Sequence, residues 1–389
     1  MSPLALSHLP LFGYFALIGG LLVAASPALT ARKPNAVAGL FFLLALASLG
    51  STWSYMFAYF RRSFEDSAAR AGVAAAEYST QAWLNDVSLF HEAWHYVCET
   101  PQRWWWSEQL CLWTVGPLTL LMTVEGRRHG IKRTWAFMLL GQVVAVSFAQ
   151  SLFFAAVALA PPVKPAAAPA TPAQGRLPTS PNSKLTWWLL FAVIAGNASV
   201  AFTPRTLYSS FFLPNLLLMH AVLLAPLVIP DRKTAPMALS RFYLNISLVV
   251  IRFRAPTVLE ILGKDTPFSF AAVVPRIPEL LKAQWDTLNE HPAQQSIGWD
   301  VVFASISALV YLVWSSRQPA RPAERVSPAI LALLVLATPL VGVGTAVGLG
   351  LAIREGKKET REDAEKKLEE ARRAQAVQNV QELGTKKKQ

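Results

Sequence analysis

The sequence predicts an all-α, polytopic transmembrane helical bundle, and three observations predict it. Only 15% of the 389 residues are charged, where a soluble domain carries about 25%. Predominantly apolar runs recur along the chain, each near the roughly 20 residues that cross a hydrocarbon core. After Arg354 the composition turns abruptly to Glu, Lys and Arg, the pattern of a solvated helix or tail. The formal charge of +12 then reads as loops and a tail facing the cytosol and anionic lipid, with no nucleic-acid partner. Cys98 and Cys111 lack CxxC spacing, so neither a disulfide framework nor a zinc site is expected from them.

Taken in order, residues 11–28 form the first expected span; no basic n-region precedes it, so it reads as retained rather than as a signal peptide. A turn with Arg32, Lys33 and Pro34 leads to a second span at 36–59, then a charged, small-residue loop at 61–76. Residues 83–98 are apolar but studded with polar groups, which suits a buried or interfacial helix or a short span. Runs at 104–124 and 135–159 flank a basic turn holding Arg127, Arg128, His129, Lys132 and Arg133. Residues 161–184 are rich in Pro and Ala without periodicity and read as a linker. Further runs follow at 185–202, 207–229, 299–314 and 328–353, with 235–253 a span or an interfacial helix and 264–292 polar and outside the bilayer core. The total is about seven to nine spans. The chain therefore divides into N-terminal membrane helices (1–160), the linker (161–184), C-terminal membrane helices with a polar loop (185–353) and a charged cytosolic tail (354–389). No internal repeat is visible.

Polar groups inside a membrane bundle are expensive, so each is a functional candidate. Read as one helix, 83–99 places Asn85, Ser88, Glu92, His95 and Glu99 on one face, beside a stripe of Asp86, Phe90, Trp94 and Val97. That face is either the wall of a pocket or the wet side of an interfacial helix. Glu108 follows Arg103-Trp104-Trp105-Trp106 and is the last charge before Glu125. A carboxyl kept protonated in an apolar cavity is a general acid, and indole faces stabilise cations by about 0.5 to 2 kcal/mol each. The other reading is a snorkelling acid beside an interfacial Trp belt. Asn215 and His220 lie inside an apolar run with Arg205 at its mouth, and Trp113 follows Glu108. Asn197 and Asn245 begin glycosylation sequons within or beside expected spans. No Walker loop or Asp-x-x-x-Asp pair is present, so ionisation of a diphosphate by magnesium is not the expected chemistry. No metal or cofactor is expected.

Two resemblances sharpen this reading. Leu89-Phe90-His91-Glu92, Arg103, Glu108 and Leu112-Trp113-Thr114-Val115-Gly116-Pro117-Leu118, followed by Arg128-His129 and Gly141-Gln142, resemble the EXPERA fold of the emopamil-binding sterol isomerases. That likeness implies that Glu108 helps protonate an alkene to give a carbocation held by aromatics, with Glu92 on a preceding acidic position. Those isomerases also carry a His and a Glu on the preceding span, and residues 52–60 have neither. Ser63-Phe64-Glu65-Asp66-Ser67 and Trp83-Leu84-x-Asp86-x-Ser88-Leu89-Phe90-x-Glu92-Ala93-Trp94 are similar to fungal membrane-bound terpene cyclases of the ascofuranone and ascochlorin type. This second likeness implies metal-free, acid-triggered opening of an epoxide on a farnesylated aromatic. Lys386-Lys387-Lys388-Gln389 resembles a dilysine retrieval signal of the endoplasmic reticulum.

The sequence thus leads to a membrane terpene cyclase with an EXPERA-like core, acting on a hydrophobic meroterpenoid precursor among membrane lipid and enzymes of the same pathway. Glu108 or Glu92 would donate the proton; Asp86, His220 or Asn215 would accept or orient one. Trp94, Trp104, Trp105, Trp106, Trp113 and Arg103 would line the substrate site. The alternatives are a sterol or lipid double-bond isomerase and a non-catalytic lipid-binding scaffold or transporter.

Overall fold

The computed structural model describes residues 3–160, 185–228, 237–263, 269–317 and 325–386. The linker at 161–184 and residues 387–389 of the dilysine-like end lie outside them. Among the described residues the elements are helical, with no β-strand. In chain order they are α1 (Pro3–Leu29), α2 (Ala36–Arg70), α3 (Thr80–Asp86), α4 (Leu89–Cys98), α5 (Pro101–Trp113), a π-helical turn (Thr114–Leu118) and α6 (Thr119–Arg128). Next come α7 (Thr134–Val143), α8 (Val146–Leu159), α9 (Trp187–Thr206), α10 (Phe212–Val222), α11 (Ala225–Val228) and α12 (Leu239–Leu262). The chain finishes with α13 (Phe270–Val273), α14 (Ile277–Leu288), α15 (Pro292–Arg317), α16 (Pro328–Val341) and α17 (Val343–Lys386).

Five of these helices are long and apolar enough to cross a membrane: Phe12–Leu29, Ala36–Arg70, Trp187–Thr206, Leu239–Leu262 and Pro292–Arg317. Their outer faces carry exposed Phe12, Val23, Leu43, Leu46, Phe191 and Leu248, apolar surface that lipid solvates without cost. Four further apolar helices are shorter, because expected spans are interrupted. The run 135–159 breaks at Ala145, whose backbone is extended (φ −167°, ψ 139°). The freed N–H groups of Val146 and Ser147 are received by Asp300 of α15 at 3.0 and 2.7 Å, an N-terminal cap supplied from a neighbouring helix. The run 328–353 breaks at Gly342, where φ is +81°, a conformation that only glycine adopts cheaply.

Other boundaries also move. α2 continues as helix to Arg70, taking in the first ten residues of the stretch expected to be a loop, and residues 71–76 leave the helix as expected. A buried stripe at Ala38, Phe41, Ala45, Ser48, Thr52, Tyr59, Ser63 and Ser67 holds it to the bundle. Its outer end is laced by Arg61–Glu65 and Arg62–Asp66 pairs. At 35 residues and about 1.5 Å per residue, α2 outreaches a hydrocarbon core of about 30 Å.

α5, the π turn and α6 form one continuous helical column, buried almost throughout. Pro117 lies in the π turn and has no N–H to give its preceding turn, which favours the local widening. Thr119 Oγ1 donates to the Thr114 carbonyl at 2.7 Å. The column is packed by α12, α15, α17, α4 and α14. A Cβ on Gly116 would stand 2.9 Å from Ile246 of α12, so the small residue sets how closely those helices approach. Trp113, Gln150 and Ser307 pin α5, α8 and α15 together: Trp113 Nε1 donates to Gln150 Oε1 at 2.7 Å, and Gln150 Nε2 donates to the Ala304 carbonyl at 2.7 Å and to Ser307 Oγ.

Candidate functional site

α5 starts where Thr100 Oγ1 accepts the Arg103 N–H and Pro101 occupies the first turn. Two turns in, Glu108 is 4% exposed and faces α12. There Arg254, 2% exposed, places Nη1 3.7 Å from Glu108 Oε2, and Thr257 Oγ1 donates to Glu108 Oε1 at 3.4 Å. Both contacts are long for hydrogen bonds. Arg254 is steadied elsewhere. Its Nη1 donates to the Trp105 carbonyl at 3.3 Å and its Nη2 to the Leu340 carbonyl at 3.4 Å. Its guanidinium carbon lies 5.0 Å from the centre of the Trp105 ring. Gly342 closes this corner: a Cβ there would meet Arg254 Cδ and Nε at 3.0 Å. Three buried polar atoms on these touching residues have no hydrogen-bond partner, namely Glu108 Oε2, Arg254 Nε and Trp105 Nε1.

Of the residues expected to share a site, the structure brings Glu108 together with Trp104, which hydrogen-bonds to its carboxyl, while Trp105 meets Arg254, the partner of Glu108. Trp104, Trp105 and Trp106 are all buried, but consecutive helical positions point about 100° apart, so they serve different neighbours. Trp105 meets Trp106 edge-on at 4.9 Å, and Trp106 Nε1 donates to the Gln284 carbonyl of α14 at 3.2 Å. Trp113 belongs to the seam with Gln150 described above.

The remaining candidates have other work. The helix expected over 83–99 is broken between α3 and α4, with Val87 extended (φ −109°, ψ 148°), so Asn85 and Asp86 do not share a helix face with Glu92 and His95. Asp86 is exposed and lies 3.6 Å from Arg70. Glu92 accepts the Ser88 N–H at 3.0 Å, capping the start of α4. Trp94 pairs with Phe90 at 6.3 Å. Asn215 Nδ2 donates to the Ser199 carbonyl at 2.9 Å and to Thr203 Oγ1 at 3.2 Å, knitting α10 to α9. His220 keeps a buried Nδ1 without a partner, with no carboxyl or substrate-site residue recorded beside it. Asn197 is buried and bonded to the Val193 carbonyl at 2.8 Å, a position closed to glycosylation.

Arg103 joins a rim cluster. It bonds Glu99 at 2.7 Å and Glu290 at 2.5 Å and lies 3.7 Å over the Tyr96 ring. Tyr96 stacks on His291 at 4.1 Å, and burial leads the effects that push its phenol up to about 12.

Reading the sequence for spans misses two features. The first is Arg254, just beyond the expected 235–253 run; an arginine inside an apolar helix was itself the signal. The second is a buried ion network joining the end of α6 to α17. Arg128 bonds Glu355 at 2.8 Å and Glu125 at 3.0 Å, and Arg354 bonds Glu125 at 2.6 Å and Glu355 at 2.9 Å. Burial pushes both carboxyls up, but the flanking guanidiniums outweigh it, holding Glu125 well below the carboxylate range and Glu355 at about 2. Arg128 and Arg354 are therefore not the water-facing cations their basic surroundings suggest.

A family model described as a protein of unknown function, DUF2834, is similar to residues 109–158 and 258–356. No curated protein matches, and no solved structure matches. The two similar segments contain the Trp113–Gln150–Ser307 seam, the Asp300 cap and the ion network. Glu108 and Arg254 lie just outside them.

Proposed function

We propose that this chain is a membrane-embedded terpene cyclase in which Glu108 protonates an epoxide on a farnesylated aromatic precursor. The observation that carries the reading is the trio of unpartnered buried atoms on Glu108, Arg254 and Trp105. Leaving such atoms unsatisfied costs about 1 to 3 kcal/mol each, so a site that keeps them is fitted to a ligand oxygen. An epoxide oxygen accepts hydrogen bonds and suits the two N–H donors. The Glu108 O–H transfers its proton to that oxygen, the C–O bond to the more substituted carbon breaks, and a neighbouring alkene closes the ring by forming a C–C bond. The final cation loses a proton to water or to the Glu108 carboxylate. Arg254 stands close enough to stabilise the carboxylate formed in the first step, and the buried indoles beside Glu108 supply π-density for the cation. The apolar substrate would enter from lipid.

A second reading, a transporter, is favoured by one observation: the α7–α8 break with Asp300 at the N-terminus of the second half-helix, a feature of transport sites. Microsomes carrying the chain, given an epoxyfarnesyl phenol and, separately, a Δ8-sterol, separate these readings by mass spectrometry. A cyclised isomer of the epoxide, lost in Glu108→Gln, supports the cyclase. A shifted sterol double bond would make the chain an isomerase, and no product from either would favour transport.

A further inference from the structure

α4 carries a pattern that the acidic-stripe reading passes over: His91-Glu92-Ala93-Trp94-His95, an H-E-x-x-H spacing on a helix. Histidines four residues apart project from one face, one turn apart, the arrangement that lets two imidazoles reach one ion. Here the rings are 6.0 Å apart, inclined by 33°. Two imidazoles on a tetrahedral ion at about 2.0–2.1 Å per nitrogen have ring centres roughly 5 Å apart, so a small side-chain rotation brings them to bonding distance.

Packing already orients the pair. Phe212 of α10 lies edge-on to His91 at 5.6 Å and to His95 at 6.1 Å, and Tyr208 lies edge-on to His95 at 5.2 Å. These rings form an apolar wall behind the histidines and bring a phenol to the same rim. The structure records only ring contacts for His91 and His95, with no hydrogen bond or ion pair to either imidazole. Glu92 anchors the helix start through Ser88 with one oxygen. Among the described residues no third His, Cys, Asp or Glu joins them, so the protein supplies two nitrogens and leaves the other positions open.

We propose that α4 is a binding site for a divalent transition-metal ion, with His91 and His95 as its protein ligands and water or an oxygen ligand in the open positions. Imidazole donors select Zn²⁺, Cu²⁺ or Ni²⁺ over Mg²⁺ or Ca²⁺. This site is independent of Glu108 and of the cyclase reading, and it replaces the expectation of no metal.

The test uses the full-length, tag-free protein in detergent after chelator treatment. Zn²⁺ is titrated against a competing chromophoric chelator, and Cu²⁺ binding is followed by electron paramagnetic resonance. The expected result is one ion per chain, a copper spectrum with two nitrogen couplings, and weakening of about tenfold or more in His91→Ala and in His95→Ala. Glu92→Gln should keep Zn²⁺ binding. The copper spectrum is read on the unsubstituted protein and stands even where a variant misfolds. No uptake by that protein, a spectrum without nitrogen coupling, or unchanged affinity in the double variant overturns the proposal.

Discussion

Glu108 and Glu125 are both carboxyls buried beside arginines, yet their surroundings differ in kind. Glu125 sits in a network of short bonds with Arg128 and Arg354, shared with Glu355, in which Arg128 Nε alone of the Arg128 and carboxylate polar atoms lacks a hydrogen bond. Glu108 faces a single arginine at 3.7 Å, too long for a hydrogen bond, and Glu108 Oε2, Arg254 Nε and Trp105 Nε1 have no hydrogen-bond partner. A buried network of short ion pairs fixes structure, because removing one member strands the others. A loose pair with spare valence holds less together and has more to offer a ligand. The contrast separates the ion network from the proposed site without reference to position in the bilayer.

The largest effect expected is on the scaffold. Glu355→Gln leaves Arg128 and Arg354 under-compensated and should cost about 3 to 5 kcal/mol, seen as a sharply lowered Tm in detergent; an unchanged Tm would break the comparison. Glu108→Gln should do the reverse, cutting cyclisation by about 100-fold or more while Tm stays near that of the parent. Arg254→Lys, which removes the planar donor over Trp105, should slow turnover less, with single-turnover rates showing the loss in chemistry rather than in binding. Acid sharpens the contrast. Glu355 has a folded pKa of about 2 against an ordinary 4.5, so its contribution is complete above about 4.5 and is lost as pH falls toward 2. Tm measured between pH 5.5 and 2.5 should fall in the parent and fall less in Glu355→Gln. The smallest effect is Asp86→Asn, whose exposed pairing with Arg70 should be worth under about 0.5 kcal/mol and leave turnover unchanged.

The helical, membrane-suited character was legible because composition and apolar run length report it directly. What the sequence hid were interruptions that depend on partners far along the chain. The break at Ala145 is stabilised by Asp300, and the break at Gly342 is fitted to Arg254; neither neighbour is visible from local pattern. The face expected over 83–99 failed because Val87 turns the chain, which a periodicity count overlooks. Glu108 was legible as an isolated acid beside indoles, but its partner lay one residue past an assumed boundary. Equally, three consecutive tryptophans look like one aromatic lining, whereas helix geometry sends each to a different neighbour. The H-E-x-x-H spacing of His91 and His95 was legible in the sequence.

α17 runs without interruption from Val343, through the buried Arg354–Glu355 pair and into the charged tail, 44 residues in one helix. At about 1.5 Å per residue it spans roughly 66 Å. The tail is thus a shaft rather than a tether, and it transmits angle as well as distance. Adding one residue midway would turn its tip by about 100°, while adding four would nearly restore the original heading. Anything that grips the far end holds the bundle in a fixed rotational phase.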